Sequence, residues 1–282
     1  MTTIYDPHHP LYLDEADTRK ELERVYDLCH GCRLCFKFCP SFPTLFSYID
    51  VHDDQDAGKM TPAQQDHVVD ECFQCKLCYV VCPYIPELHE WALDFPRLML
   101  RADSMRRANG QVSTRDKLTT AVMGHTDALG KVATKAGVVS NLVMGAKPGS
   151  LIRKVVEKTA GISSVRMLPP FAKQRFTTWF KKRPQIRLTK SQGDVALFPT
   201  CLVEYQDPRI GHDMVKVYEH NGISCSLAGT TNCCGAPYLH SGDMDTFTKV
   251  AAKNISELVK DVRAGKDIVV PQPTCSYILK KD

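Results

Sequence analysis

The stretch CHGCRLCFKFCP, Cys29–Pro40, places four cysteines within eleven residues and ends on a proline. The same pattern returns 43 positions later as CFQCKLCYVVCP, Cys72–Pro83. Three cysteines spaced by two residues can face one iron-sulfur cluster, whereas the fourth, three residues further on, points away and ligates the neighbouring cluster of a pair. The repeat therefore predicts two [4Fe-4S] clusters that exchange their fourth ligands.

This pattern assigns each of the eight cysteines to one of the two clusters. The first cluster is assigned to Cys29, Cys32, Cys35 and Cys82, and the second to Cys72, Cys75, Cys78 and Cys39. Structural zinc is the main alternative, but zinc sites usually combine two Cys-x-x-Cys pairs that are separated by a longer loop. Disulfides are a third and weaker alternative.

Composition limits what the remaining sequence can be. A chain of 282 residues suits two domains of ordinary size with hydrophobic cores that need no disulfides. The N-terminus has no signal-peptide pattern, and no apolar run approaches the roughly 18 residues of a membrane span. We therefore expect a cytoplasmic protein whose thirteen cysteines serve as metal ligands or redox groups.

The charge is unevenly distributed along the chain. Residues 97–190 contain 20 lysines and arginines against 4 aspartates and glutamates, whereas the whole chain contains 36 against 32. The middle of the chain is therefore strongly basic and the remainder is acidic. Such a region is often only a solvated helical face, but it can also bind an anionic membrane surface or nucleic acid.

Local patterns divide the chain into three regions. Residues 1–100 carry both cysteine motifs and two helix-start signals, Thr18–Glu21 and Thr61–Gln64, which predict an all-helical ferredoxin domain with two [4Fe-4S] clusters. Residues 101–190 predict a basic amphipathic helical region. Residues 191–282 alternate short apolar runs with helical stretches, which predicts a parallel α/β domain. The expected fold class is thus α plus α/β.

The middle region contains an apolar stripe at alternating steps of four and three residues, which is typical of an amphipathic helix. Its members are Leu118, Val122, His125, Leu129, Val132, Ala136, Val139 and Val143. Gly124, Gly130 and Gly137 weaken this helix. Further on, Trp179 and Phe180 precede the basic run Lys181–Arg183, as in helices that lie at a membrane surface.

The C-terminal region holds a second group of cysteines. Three of them, Cys201, Cys225 and Cys275, are predicted at or just beyond strand ends, where open parallel sheets place their sites. Cys233 and Cys234 are adjacent and precede Gly235, and two neighbouring side chains need a tight turn to share one centre. Cys225 has no assigned ligand role, and packing is its favoured role.

A twin-cluster motif followed by a domain of the form Cys, 31 residues, Cys-Cys-Gly and a distant Cys resembles one known family. The family comprises the C subunit of anaerobic glycerol-3-phosphate dehydrogenase and its heterodisulfide-reductase-type relatives. The resemblance implies a third iron-sulfur centre held by Cys201, Cys233, Cys234 and Cys275. Ile278 replaces the last cysteine of the heterodisulfide reductase motif, which favours four ligands over five.

The same resemblance implies a second Cys-Cys-Gly repeat downstream, so we expect this domain to be incomplete and residues to follow Asp282. It also implies a membrane-associating subunit that faces quinone. No Gly-x-Gly-x-x-Gly motif follows a strand and no phosphate loop is present, so electrons must come from or go to a partner. The paired His8 and His9 are expected to be solvated rather than ligating.

Three functions follow from these patterns. The first is an electron-transfer subunit between a flavoprotein dehydrogenase or other redox partner and membrane quinone, bound peripherally on the cytoplasmic face. The second is reduction of a disulfide substrate at the Cys-Cys-Gly cluster, and the third is electron donation to a cytosolic metalloprotein. Nucleic acid is not an expected partner, because no recognition module accompanies the basic charge. The sequence assigns no catalytic residue.

Overall fold

The computed structural model describes residues 5–184, 192–229 and 233–282 of the chain. These residues are mostly helical and include a small parallel sheet, in agreement with the predicted fold class. Two compact units form: unit 1 comprises Met1–Asp116 and Tyr238–Asp245, and unit 2 comprises Lys117–Pro237 and Thr246–Asp282. The predicted boundaries at residues 100 and 190 remain predictions, and Lys190 lies outside the described residues.

Unit 1 is built from helices around the two cysteine motifs. They are α1 (Glu15–Cys32), α2 (Ser41–Asp50), a 3-10 helix (Ala57–Lys59), α3 (Pro62–Asp70), α4 (Leu77–Val81) and α5 (Phe95–Ala108). Leu22, Val25 and Tyr26 of α1 face inward and are fully buried. They pack with residues of α2, α3 and α5, so each cysteine motif lies at the end of a helix anchored in one core.

The two predicted helix starts differ in outcome. Thr61 caps α3 as predicted: its side chain accepts from Gln64 N, and the Gln64 side chain accepts from Thr61 N. Thr18 does not open α1, because the helix begins three residues earlier with Asp14 as its cap. The Asp14 carboxylate accepts a hydrogen bond from the Asp17 N–H at 2.7 Å. An acidic cap also interacts favourably with the positive N-terminal end of the helix dipole.

Unit 2 combines the middle helices with the sheet. Its elements are α6 (Thr114–Gly124), α7 (Thr126–Lys135), α8 (Gly137–Met144), α9 (Leu151–Ala160), α10 (Phe176–Lys182), β1 (Gly193–Leu197), α11 (Thr200–Tyr205), α12 (Pro208–His220), β2 (Ile223–Leu227), α13 (Ala236–Leu239), α14 (Met244–Arg263), β3 (Asp267–Val269) and α15 (Pro273–Lys281). The first residues of α6 and the last of α13 belong to unit 1.

The three strands run parallel, as the alternation of strands and helices predicts, and the structure gives their order as β2-β1-β3. Cys201 follows β1 on α11, and Cys275 follows β3 on α15, so both lie beyond the carboxyl ends of their strands. Cys225 was expected at a strand end, but it lies in the middle of β2 opposite Val195. The sheet therefore separates Cys225 from the other two cysteines.

The predicted stripe of the middle region does not form one helix. It is divided into α6, α7 and α8, and two of the three glycines mark the breaks: α6 ends at Gly124 and α8 begins at Gly137. Much of the apolar stripe is also exposed to solvent, with Leu118 65% and Val139 67% exposed. Beside it on α8, Val138 is 89% and Leu142 66% exposed. The basic middle thus presents apolar side chains that unit 2 does not bury.

The aromatic residues beside the basic run were expected at a membrane surface, but they pack inside unit 2. Phe180 is buried in the core of unit 2, and the ring of Trp179 stacks on His212 with 3.8 Å between centroids. The Arg183 guanidinium pairs with Glu219 at 2.7 Å, and both side chains are nearly buried. This segment therefore stabilises unit 2 and is not free to insert into lipid. Within the described ranges, no helix has the length and apolarity needed to cross a bilayer.

Gly130 of α7 is required by close packing, although glycine is a poor helix former. A Cβ atom there would lie 2.5 Å from the ring of Tyr205, whereas at Gly137 it would meet no atom within 4 Å. We expect Gly130→Ala to lower the free energy of unfolding by about 1–3 kcal/mol through overpacking. Gly137→Ala, the matched control, should raise it by up to about 1 kcal/mol. Denaturant unfolding followed by circular dichroism measures both, and equal effects would contradict this account.

Candidate iron-sulfur sites

The first group of thiols lines one cavity in unit 1. Cys29, Cys32 and Cys35 of the first motif share this cavity with Cys82 of the second motif. Apolar side chains, among them Phe42, complete its wall. Four thiols around a small apolar space are the soft donor set that iron-sulfur clusters require, so these residues fit the predicted cofactor.

The second group of thiols also takes in a cysteine of the other motif. Burial raises the pKa of Cys72 most, and among the neighbouring thiols Cys39 of the first motif raises it more than Cys75 does. Cys78 is close to Cys72 and Cys39 and also to Cys35 and Cys29 of the first group. The two groups are therefore neighbours inside unit 1.

One backbone feature explains why each motif turns around a common point. Arg33 and Lys76 occupy the same position in the two repeats, directly after the second cysteine, and both have left-handed backbone angles with φ of 54° and 63°. Side chains other than glycine rarely adopt this conformation. Since it recurs at equivalent positions, the turn is part of the repeat and brings the third cysteine round towards the first.

Burial raises the pKa of several thiols in unit 1. The pKa of Cys35 and of Cys72 rises to about 12, and those of Cys29 and Cys78 also rise, in each case chiefly because burial disfavours the charged thiolate. Neighbouring thiols add to the shift, because several thiolates in one place repel each other. A bound metal centre would lower the pKa of these thiols and so outweigh both burial and mutual repulsion, because a thiol that coordinates a metal is deprotonated.

The second cysteine of each motif lies at the surface of unit 1. Cys32 and Cys75 are exposed, whereas the other six ligand candidates are partly buried. Apolar side chains accompany them at the surface, among them Phe36 and Phe73. A cluster held here would therefore have one edge close to the surface and the rest shielded by protein.

The third group of cysteines comes together in unit 2. The thiol of Cys201 is close to those of Cys233 and Cys234, and the thiol of Cys275 is close to all three. Three of the four cysteines are buried, the exception being Cys201, which is partly buried. The convergence that the sequence predicted thus occurs beyond the ends of β1 and β3. The neighbouring Asn232 of the motif lies outside the described residues.

The thiols of Cys234 and Cys275 are both buried and lie side by side. Their interaction raises the pKa of Cys275, which burial raises further, and lowers the pKa of Cys234. The Cys275 thiol donates to Gln272 Oε1, with 3.7 Å between sulfur and oxygen. Both sulfurs therefore face the same small space, as two ligands of one centre must.

Gly235 makes the Cys-Cys turn possible. Its φ is 95°, and a Cβ atom at this position would lie 2.9 Å from the ring of Phe247, so a larger residue would be both strained and crowded. The Gly235 N–H points back to the sulfur of Cys233 at 3.4 Å. The tight turn inferred from the sequence is therefore present.

Two polar residues of this site were missed by the sequence analysis. Asn254 on α14 is fully buried and donates from Nδ2 to the backbone oxygen of Cys233 at 2.9 Å. The Thr126 side chain on α7 lies beside Cys233 and acts to lower the pKa of its thiol, although burial raises this pKa overall. An asparagine within an amphipathic helix gives no signal by itself. Only the fold shows that it holds the cysteine pair.

Thr200, next to Cys201, is a third feature that spacing could not reveal. This β-branched residue is fully buried and has a left-handed φ of 63°. Backbone outliers of this kind persist only where the surrounding structure enforces them, and they concentrate at functional sites. The strained turn directs Cys201 from the end of β1 into the site.

Cys225 does not take part in any of these groups. Burial raises the pKa of its thiol to about 11, and the charged groups that act on it are Glu219 and Arg183 rather than other cysteines. In the part of the chain that the structure describes, all thirteen cysteines are free thiols. There, too, no three cysteine, histidine, aspartate or glutamate side chains meet in the arrangement of a single-ion site.

Comparison with known families agrees with both kinds of site. Residues 21–83 match the 4Fe-4S dicluster domain, and residues 195–280 match the cysteine-rich domain named CCG. The chain is accordingly a protein with a ferredoxin-like 4Fe-4S domain and a Cys-Cys-Gly domain, and it holds iron-sulfur cofactors. The number and type of these cofactors are proposals, as is the assignment of ligands to each cluster.

Similar proteins of known name indicate which iron-sulfur proteins this chain resembles. The chain is homologous to the C subunit of anaerobic glycerol-3-phosphate dehydrogenase from Escherichia coli, with 28% identity over 64% of the chain and 45% of the relative. Lactate utilization protein A of Shouchella clausii is 35% identical over 30% of the chain and 34% of that protein. An uncharacterized iron-sulfur protein of Methanocaldococcus jannaschii is 33% identical over 31% of the chain and 18% of that protein. The chain matches less than half the length of these relatives. No solved structure matches it.

The exchanged ligands can be tested with single cysteine variants. We expect Cys39→Ser to damage the cluster held by Cys72, Cys75 and Cys78, although Cys39 belongs to the other motif. Electron paramagnetic resonance of the reduced protein, purified without oxygen, measures each cluster. Cys225→Ser is the matched control and should leave both signals unchanged.

Two results would contradict this assignment. Loss of the first-motif cluster in Cys39→Ser would reject the exchange. Stoichiometric zinc in place of about eight irons in unit 1 would reject iron-sulfur clusters altogether.

Proposed function

We propose that this chain is an electron-transfer subunit of an oxidoreductase, and that it relays electrons between a flavoprotein dehydrogenase or other redox partner and membrane quinone. The observation that carries the proposal is the adjacency of the two thiol groups in unit 1, where Cys78 of the second group lies close to Cys35 and Cys29 of the first. Bound there, two [4Fe-4S] clusters supply one-electron chemistry. Adjacent sites of this kind suit the passage of single electrons.

The residues around the thiols would keep the sites in position and dry. Leu22, Tyr26 and Phe42 form part of the unit 1 core, and the partly buried cysteines pack against that core. The backbone N–H of Tyr84 donates to the sulfur of Cys82 at 3.4 Å. Hydrogen bonds to sulfur and the exclusion of water are the means by which proteins tune the potential of such centres.

The surface of unit 1 supports docking of a redox partner. Residues 1–100 contain 17 acidic and 8 basic residues, so this part of the chain carries a net negative charge. Exposed apolar side chains lie within the motifs, with Phe73 67% and Val80 74% exposed. An apolar contact beside Cys75, set in an acidic surface, suits a partner with a basic rim.

The surface of unit 2 supports peripheral association with a membrane. The exposed apolar residues of α8 belong to a region in which basic residues greatly outnumber acidic ones. Helices with this combination bind anionic bilayers, because apolar burial and electrostatic attraction add together. This surface replaces the Trp179–Arg183 segment as the proposed contact, because that segment is packed inside unit 2.

The Cys-Cys-Gly site would hold a further iron-sulfur centre on the route to quinone. Its four candidate ligands are Cys201, Cys233, Cys234 and Cys275. Their convergence and burial support this role, while the strained Thr200 and the buried Asn254 would hold the ligands in place. Reduction of a disulfide substrate is the second candidate function, favoured by the adjacent thiols of Cys234 and Cys275.

Membrane contact and quinone reduction can be tested together. We expect the protein to bind anionic vesicles, more weakly at high salt because counterions screen the attraction. We also expect a menaquinone analogue to reoxidise the reduced clusters.

The double variant Val138→Asp with Leu142→Asp should weaken vesicle binding at least about tenfold, because burial of two apolar side chains is lost. Sedimentation with vesicles and the absorbance of the clusters measure these outcomes.

Ile255→Asp is the matched control, because Ile255 is 58% exposed on α14 and lies outside the proposed surface. It should leave vesicle binding and iron content unchanged. A protein that ignores vesicles and quinone but rapidly reduces a disulfide would reject the relay and favour the second candidate. A protein that reduces only a soluble metalloprotein would favour a cytosolic electron donor.

A further inference from the structure

Unit 2 contains a basic groove that the iron-sulfur sites do not use. It has a volume of about 610 Å³ and is formed by α7, α10 and the segment before α10. Its lining residues are Lys131, Thr134, Lys135, Lys173, Gln174, Arg175, Thr178 and Lys182. Five of the eight are cations and none is an acid, so a negatively charged ligand is the natural occupant.

Two of the five cations are balanced by the protein itself. Lys131 pairs with Asp127 one turn earlier on α7, with 2.6 Å between Nζ and the carboxylate. Arg175 lies 3.6 Å from the carboxylate of Glu204, whose side chain is fully buried. These pairs help to fix the two sides of the groove, because Asp127 also accepts from the Tyr205 hydroxyl of α11.

The other three cations have no acidic partner. Among the residues that the structure describes, Lys135, Lys173 and Lys182 form no ion pair. Like charges that line one concave space repel each other, and a concave surface concentrates their field. Their positive charge is therefore uncompensated within the folded chain, and a bound anion would relieve the repulsion.

The remaining lining residues indicate which anion would fit. The Gln174 amide and the Thr178 hydroxyl add neutral hydrogen-bond groups among the lysines. Phosphate offers several strong acceptor oxygens and up to two negative charges, and lysine is a common partner for it. A single carboxylate would leave most of the uncompensated charge in place.

We propose that this groove binds a phosphate-bearing anion, either a free phosphorylated molecule or the headgroup of an anionic phospholipid. Lys135, Lys173 and Lys182 supply the uncompensated charge that attracts it. Arg175, already positioned by Glu204, donates hydrogen bonds to the same ligand. The site is distinct from the exposed apolar face of α8, and it does not rest on the proposed electron-transfer function.

The experiment titrates the cluster-loaded full chain, without oxygen and at low salt, with two probes. Inorganic pyrophosphate represents the free source, and phosphatidylglycerol vesicles, compared with phosphatidylcholine vesicles, represent the lipid source. We expect Lys182→Glu to weaken binding at least about tenfold, because one attractive contact becomes repulsive. Lys181→Glu is the matched control: Lys181 is the exposed neighbour on α10 and does not line the groove. It should change pyrophosphate binding less than about twofold.

Each outcome decides between the possibilities. Pyrophosphate binding that Lys182→Glu weakens and Lys181→Glu leaves unchanged supports a site for free phosphate compounds. Binding to phosphatidylglycerol vesicles alone, with the same difference between the variants, supports a headgroup site. Absence of binding to either probe, or equal loss in both variants, would overturn the proposal and leave only diffuse surface charge. Lys173→Gln, which removes charge without reversing it, should show the same pattern more weakly and guards against misfolding of Lys182→Glu.

Discussion

The packing of each motif's last cysteine against the other motif is the constraint on which unit 1 depends. Cys82 closes the cavity of the first motif, and Cys39 lies beside Cys72 of the second. In the proposed assignment each cluster takes one ligand from the other motif, so neither motif would complete its site alone. The helices between them must therefore hold a fixed relation, and the shared core of α1, α2, α3 and α5 provides it.

Burial of the thiols links this packing to the cofactor. The thiols of Cys29 and Cys78 have raised pKa values because burial disfavours the charged thiolate, whereas a bound cation would favour it. Loading of the proposed clusters would therefore release protons from these buried thiols.

The sequence was most informative where chemistry fixes the spacing. The repeated cysteines, the Thr61 cap and the parallel order of the strands were all predictable, because each follows from a short local rule. Contacts between distant residues were not predictable. The buried Asn254 that holds Cys233, the burial of Phe180 and the pairing of Arg183 depend on which elements meet in unit 2.

The basic middle region, residues 101–190, shows the same limit of prediction from sequence. Its periodicity correctly indicated amphipathic helices, but periodicity only identifies an apolar face and does not say what covers it. Glycines at positions 124 and 137 divide the stripe, and the short helices that result leave Val138 and Leu142 exposed. Lys131 and Lys135 of the short helix α7 line the basic groove together with Lys173, Arg175 and Lys182 from the later segment. The proposed anion site therefore depends on which segments meet in unit 2, and the periodicity of the sequence does not specify that.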